Sequence, residues 1–153
     1  MKEINDELTY KIIGCAMKVQ IYSGMVFRRP PEACRALQEV IYQRCLAIEL
    51  GKQGIQFLRE QEMPLYYEEK AVGTRRADFI VENGVLIELK AVIKLEDVHL
   101  AQGLNYLEAY KIEKGLLINF GSASLEVKRL FRKQKHATDI RMHSNPDHPD
   151  SDS

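Results

Sequence analysis

Three ionisable residues, Asp78, Glu88 and Lys90, are set into two otherwise apolar runs, Ala77–Val81 and Val85–Leu89. The remaining positions of these runs are β-branched, aromatic, Leu or Ala, so both read as largely buried strands. Buried carboxylates and lysines are costly unless they are paired or bind a metal. Two carboxylates about 4 Å apart repel by roughly 4 kcal/mol at an effective dielectric near 20. Lys90 can offset one of the two negative charges, and a divalent cation would offset the rest. The ordinary alternative is a solvated strand face carrying a Glu–Lys pair.

Whether the carboxylates can meet depends on the turn between the runs, Glu82-Asn83-Gly84. Directly opposed residues of an antiparallel pair share a face. A two-residue Asn83-Gly84 loop would pair Glu82 with Val85 and set Asp78 opposite Leu89, sending the carboxylates to opposite faces. A three-residue loop pairs Val81 with Val85 and sets Asp78 opposite Glu88, with Lys90 two residues further along the same face. Asn-Gly by itself favours the shorter loop. A shared metal requires the longer one, with Gly84 as its left-handed residue.

Other elements must hold this hairpin. Asn5 or Asp6 can cap a first helix running to about Tyr22, with Leu8, Ile12, Cys15, Ala16 and Val19 on one face. Ser23-Gly24 stops it, and a loop over Met25–Ala33 carries Arg28, Arg29 and Pro30-Pro31. A second helix from Pro31 or Glu32 to Leu50 places Leu37, Val40, Ile41, Cys45, Leu46 and Ile48 on an apolar stripe, with Glu39 and Tyr42 sharing a side. Ile55–Glu69 reads as an extended strand bent at Pro64. After the hairpin, a helix from Asp97 to Tyr110 carries His99, Gln102 and Tyr106 on one side and Leu100, Leu104 and Leu107 beside them. Leu116–Phe120 fits a buried strand parallel to a neighbour, because a helix precedes it. Leu125, Val127 and Arg129 alternate in a last edge strand, followed by the basic residues Lys128, Arg129, Arg132, Lys133 and Lys135. From about 137 the chain is rich in Pro, Asp, Ser and His, without periodicity, and is expected to be disordered.

The 153 residues suit one domain, over 1–136, with a polar tail over 137–153. Lys and Arg number 22, as do Asp and Glu, so the net charge is zero and no global basic field advertises nucleic-acid binding. Any such binding rests on local patches. Cys15, Cys34 and Cys45 lack Cys-x-x-Cys spacing, which argues against a disulfide framework, a zinc site or an iron–sulfur cluster. The N-terminus has no signal-peptide core and no apolar run approaches a membrane span. A reduced, cytoplasmic setting is therefore expected, with no membrane partner.

Asp, then Glu-x-Lys on the next strand, resembles the PD-(D/E)xK nuclease superfamily. More specifically, Ile12-Ile13-Gly14, Leu37–Tyr42, Leu46–Leu50, Arg76-Ala-Asp78, Ile87–Ala91, Gln102–Leu107 and Gly115–Gly121 resemble the GxxExxR protein family, a small prokaryotic branch. The resemblance covers about residues 8–131. It implies an α/β fold, a restriction-endonuclease-like core with a mixed central sheet flanked by helices. It also implies that Asp78, Glu88 and the backbone carbonyl of Leu89 bind Mg²⁺ or Mn²⁺, with Glu39 as a further metal candidate, and that Lys90 positions or activates the attacking water. Gln102 and Tyr106 match the Gln-x-x-x-Tyr helix motif that lines the active site. One departure is an insertion of about ten residues, Met25–Cys34, with Ala36 where the family has Gly.

The reading that follows is a metal-dependent nuclease hydrolysing phosphodiester bonds, DNA ahead of RNA. Oxygen ligands select a hard cation. Arg75, Arg76, His99, Lys128, Arg129 and Arg132 are candidate nucleic-acid contacts. The alternative is a non-cleaving nucleic-acid-binding or accessory module on the same fold, acting with a protein partner. A third possibility is a structural domain whose polar strand residues merely pair.

Overall fold

The computed structural model describes residues 7–26, 35–82 and 84–133, with the backbone alone for 24–26 and 35–37. The expected cap at Asn5 or Asp6, the Arg28–Arg29 loop, Asn83, and the chain from 134 onward, including the tail, lie outside the described residues. The elements are α1 (Glu7–Val26), α2 (Arg35–Lys52), β1 (Phe57–Tyr67), β2 (Lys70–Val81), β3 (Val85–Lys90), α3 (Asp97–Tyr110), β4 (Lys114–Asn119) and β5 (Glu126–Phe131). The strands form one sheet in the order β1-β2-β3-β4-β5. β3 and β4 are parallel, and the other neighbours are antiparallel. This is a mixed-sheet α/β fold, as expected. The parallel pair falls where α3 supplies the crossover, since parallel strands cannot be joined by a tight turn. Among the described residues, no helix is long and apolar enough to cross a membrane.

The central strands are apolar on both faces because both are covered. Phe79, Val81, Val85, Ile87, Leu89, Leu116 and Ile118 pack with Ile12, Ala16, Tyr42 and Leu46 of the two N-terminal helices. Ile80, Leu86, Leu117 and Leu130 pack on the other face with Leu107 of α3. Fully burying one such side chain contributes about 1.5–3 kcal/mol. The two layers therefore clamp the middle of the sheet, where Asp78 and Glu88 sit.

α2 is rotated relative to the expected stripe. Val40 and Ile41 are each 41% exposed and Ile48 60%, whereas Tyr42, Leu46 and Leu50 are buried. The Tyr42 ring stacks on Phe120 with centroids 4.6 Å apart. Both candidate stripes have helical spacing, and the sheet selects the one carrying the aromatic anchor. The rotation also buries Gln43.

The end of β3 is held by main-chain packing. Phe120 N donates to Lys90 O at 2.9 Å. Buried Asn119 accepts from Val92 N and from Gly121 N, each at 3.0 Å, and donates to Val92 O at 2.9 Å. At Gly121 a Cβ would lie 2.4 Å from Val92 O and 2.5 Å from Ala91 C. Those are backbone atoms fixed by the same hydrogen bonds, so they cannot retreat cheaply. Gly121→Ala is expected to destabilise by about 1–3 kcal/mol, read as a fall of several degrees in the thermal midpoint. An unchanged midpoint would show that the two segments can part without loss.

Candidate active site

The β2–β3 ladder pairs Val81 with Val85, Ile80 with Leu86 and Phe79 with Ile87. This is the three-residue loop, and Asp78 and Glu88 are the next residues beyond the ladder on the two strands. The loop closes with Gly84 N donating to Val81 O at 3.0 Å. Among the described residues of this loop, Glu82 has a left-handed backbone, with φ 46. A non-glycine residue in that region costs roughly 1–2 kcal/mol, offset here by the apolar register that the longer loop permits.

Regular pairing stops at Phe79 and Ile87, and the two carboxylates replace it. Asp78 N donates to Glu88 Oε1 at 3.2 Å, and Leu89 N donates to Asp78 Oδ2 at 2.8 Å. Each carboxylate thus takes a backbone N–H of the opposite strand. The strands are held together while their side-chain oxygens converge.

The electrostatics follow from that convergence. Burial pushes the Glu88 carboxyl up to about 8, and the neighbouring Asp78 charge adds to the effect. Asp78 is also raised, by burial first, with Glu39 adding to it; hydrogen bonds from Leu89 N and Gln43, and the Lys90 charge, pull it down. Lys90, half-buried at the end of β3, attracts both carboxylates. In the absence of a cation the pair therefore holds a proton near neutral pH. A divalent cation meets the same demand with oxygen donors alone, so Asp78 and Glu88 fit a hard metal ion.

Other expected residues are sorted by their contacts. Among the described residues no three His, Cys, Asp or Glu side chains gather as a metal site. Glu39 acts on both Asp78 and Glu88 as a negative charge through space. Tyr106 lies beside the pair: its phenol is raised by burial first and by Glu88 next. Gln102 is one turn earlier on α3 and exposed. His99 is engaged at the start of its own helix. Its Nδ1 accepts from Glu96 N at 2.9 Å, capping the start of α3, because a residue in a first helical turn is well placed to meet the orphan backbone donors.

The basic candidates also divide. The Arg75 guanidinium sits 5.3 Å from the centroid of the Tyr106 ring. Arg76 instead bonds Glu62 across the β1–β2 ribbon. Arg132 is paired with Glu108 at 2.9 Å and Glu113 at 3.5 Å, and Arg129 lies 5.2 Å from the Tyr10 ring centroid on the α1 side. These three have partners distant in sequence, at or near the surface, where an ion pair is worth little and can be exchanged for a phosphate. Lys128 is exposed and in register with Leu117, and through it with Glu88. It lies two strand spacings, about 10 Å, from the Glu88 backbone.

Two participants were not visible in the sequence. Gln43 donates to Asp78 Oδ1 at 3.0 Å. Its only signal was a position four residues after Glu39, masked by the apolar stripe assigned to α2. Tyr110 binds both strands at the root of the ribbon: its hydroxyl contacts Gln61 O and lies 3.2 Å from Arg75 O, and it accepts from Ala77 N at 3.1 Å. This bond places Ala77, and hence Asp78, against α3.

Fold and site together define a class: a mixed-sheet α/β protein whose ladder is interrupted by two carboxylates, Glu88 buried and Asp78 half-buried, with a lysine on the strand of Glu88. The family model described as PD-(D/E)XK nuclease superfamily matches residues 6–130. The chain belongs to the PD-(D/E)XK nuclease superfamily. The solved structure titled "Crystal structure of SSO0001" is similar in fold, with a TM-score of 0.53 and 19% identity over 84% of this chain and 67% of that one. No curated protein sequence matches the chain.

Proposed function

We propose that this protein is a Mg²⁺- or Mn²⁺-dependent nuclease of the GxxExxR family that hydrolyses phosphodiester bonds, in DNA ahead of RNA. The observation that carries the reading is the meeting of Asp78 and Glu88, each carboxylate bonded to the opposite strand's backbone. Asp78, Glu88 and the carbonyl of Leu89 would hold the metal. When bound, such an ion polarises a phosphate and lowers the pKa of a coordinated water. Lys90 would position the attacking water and stabilise the charge that grows on the phosphate oxygens. Arg75, stacked near Tyr106, supplies a planar fork for a phosphate of the substrate. Gln102 and Tyr106 line the approach from α3, and Lys128 is a more distant phosphate contact.

The test is cleavage of labelled single- and double-stranded DNA and RNA with Mg²⁺ or Mn²⁺. The wild type should cut at least one DNA substrate, and chelation or Asp78→Asn should lower the rate on the order of 10³-fold, the scale of losing a principal electrostatic element. Binding to nucleic acid without cleavage of any of the four, with either metal, would replace this reading by the accessory-module one.

A further inference from the structure

Gln43 is 4% exposed and sits between two groups that demand opposite ends of its amide. Arg59 Nη2 donates to Gln43 Oε1 at 3.1 Å, and Gln43 Nε2 donates to Asp78 Oδ1 at 3.0 Å. Arginine has donors and no acceptor, and an ionised carboxylate has acceptors and no donor. The amide is therefore locked in one orientation, with its amine on Asp78. The other carboxylate oxygen, Oδ2, is taken by Leu89 N. Asp78 is thus fixed at both oxygens, by α2 on one side and β3 on the other.

We propose that Gln43 is a positioning residue for the metal centre: with Arg59 locking its amide, it holds the Asp78 carboxylate in the orientation that turns its remaining lone pairs toward Glu88. This rests on the metal-dependent reading above. The neutrality of the amide matters. A Lys or Arg touching Asp78 would compensate its charge and compete with a cation. Glutamine orients the carboxylate and leaves that charge available. Groups that orient a ligand in this way change metal affinity by about 10- to 100-fold when removed.

The experiment is Mn²⁺ affinity of the purified full chain without nucleic acid, by calorimetry or by electron paramagnetic resonance of the free ion, alongside thermal melting. Gln43→Leu should weaken Mn²⁺ binding by about 10- to 100-fold. Arg59→Met, at an exposed position, should weaken it several-fold with the melting point little changed, and Arg59→Lys, which can still donate to the amide oxygen, should restore it. A folded Gln43→Leu protein that binds Mn²⁺ like the wild type overturns the inference and leaves the nuclease reading standing. If Gln43→Leu does not fold, the arginine pair decides: equal affinity for Arg59→Met and Arg59→Lys overturns it, and loss with rescue supports it. A wild type without Mn²⁺ affinity, matching Asp78→Asn, would overturn the metal reading and this inference together.

Discussion

Lys90→Ala should abolish detectable cleavage, with a loss on the order of 10³-fold in kcat, and should leave the fold intact. The lysine is the cation on the same strand as Glu88, and it attracts both carboxylates. Its backbone, not its side chain, carries the structural contacts: Lys90 pairs with Asn119, and its carbonyl accepts from Phe120 N. Truncation therefore removes an ammonium from the site without opening the sheet. The loss of attraction should push Glu88 higher still and make proton binding compete harder with metal. A thousandfold in rate corresponds to about 4 kcal/mol of lost transition-state stabilisation, well above what a half-buried lysine contributes to folding. Single-turnover cleavage beside a melting curve separates the two effects. Unchanged turnover in a folded variant would remove Lys90 from the chemistry.

Metal and pH should act on stability in opposite senses. Glu88 has a folded-state value of about 8 against 4.5 for the unconstrained side chain. Between these values the native state binds a proton that the unfolded state has lost. In metal-free protein this contribution is fully present below about pH 4.5 and disappears as pH rises through 8. Asp78, raised in the same direction, adds to it. Allowing for their mutual dependence, the loss across that window is about 2–4 kcal/mol, on the order of 10 °C in melting temperature for a domain of this size. A divalent cation binds the deprotonated pair, so its stabilisation should grow with pH. At a hundredfold excess over Kd it supplies about 2.7 kcal/mol, enough to recover much of the loss at pH 8 and little at pH 5. Glu88→Gln, which cannot ionise, should flatten the pH dependence and remove most of the metal-induced shift. A metal-free melting point that rises from pH 5 to 8, or a metal effect larger at pH 5, would contradict this account of the pair.

The order of elements was legible in the sequence because it depends on local patterns. Helical spacing marked α1 and α3, with α3 beginning at Asp97 and ending at Tyr110 as expected. The apolar run after Gly115 marked a buried strand, and the helix before it implied the parallel pairing seen between β3 and β4. Asp78, Glu88 and Lys90 stood out because ionisable groups in apolar strands need partners. The loop register is open in the sequence: Asn83-Gly84 alone favours the shorter turn, and a shared metal requires the longer one, which is the turn observed.

Tertiary structure decided what local patterns leave degenerate. A helix with two apolar stripes can turn either to the sheet, and the stacking of Tyr42 on Phe120 selected the rotation that exposes Val40, Ile41 and Ile48 and buries Gln43. A basic residue in a sequence shows no partner. Arg76 is held by Glu62 and Arg132 by Glu108 and Glu113, whereas Arg75 lies over the Tyr106 ring. His99, a nucleic-acid contact candidate by its helical face, caps its own helix, where the backbone donors of a first turn lie close to its ring. In each case the sequence determined which groups exist and how often they recur. Their use was decided by contacts between residues far apart in the chain, where burial and hydrogen-bond geometry are set.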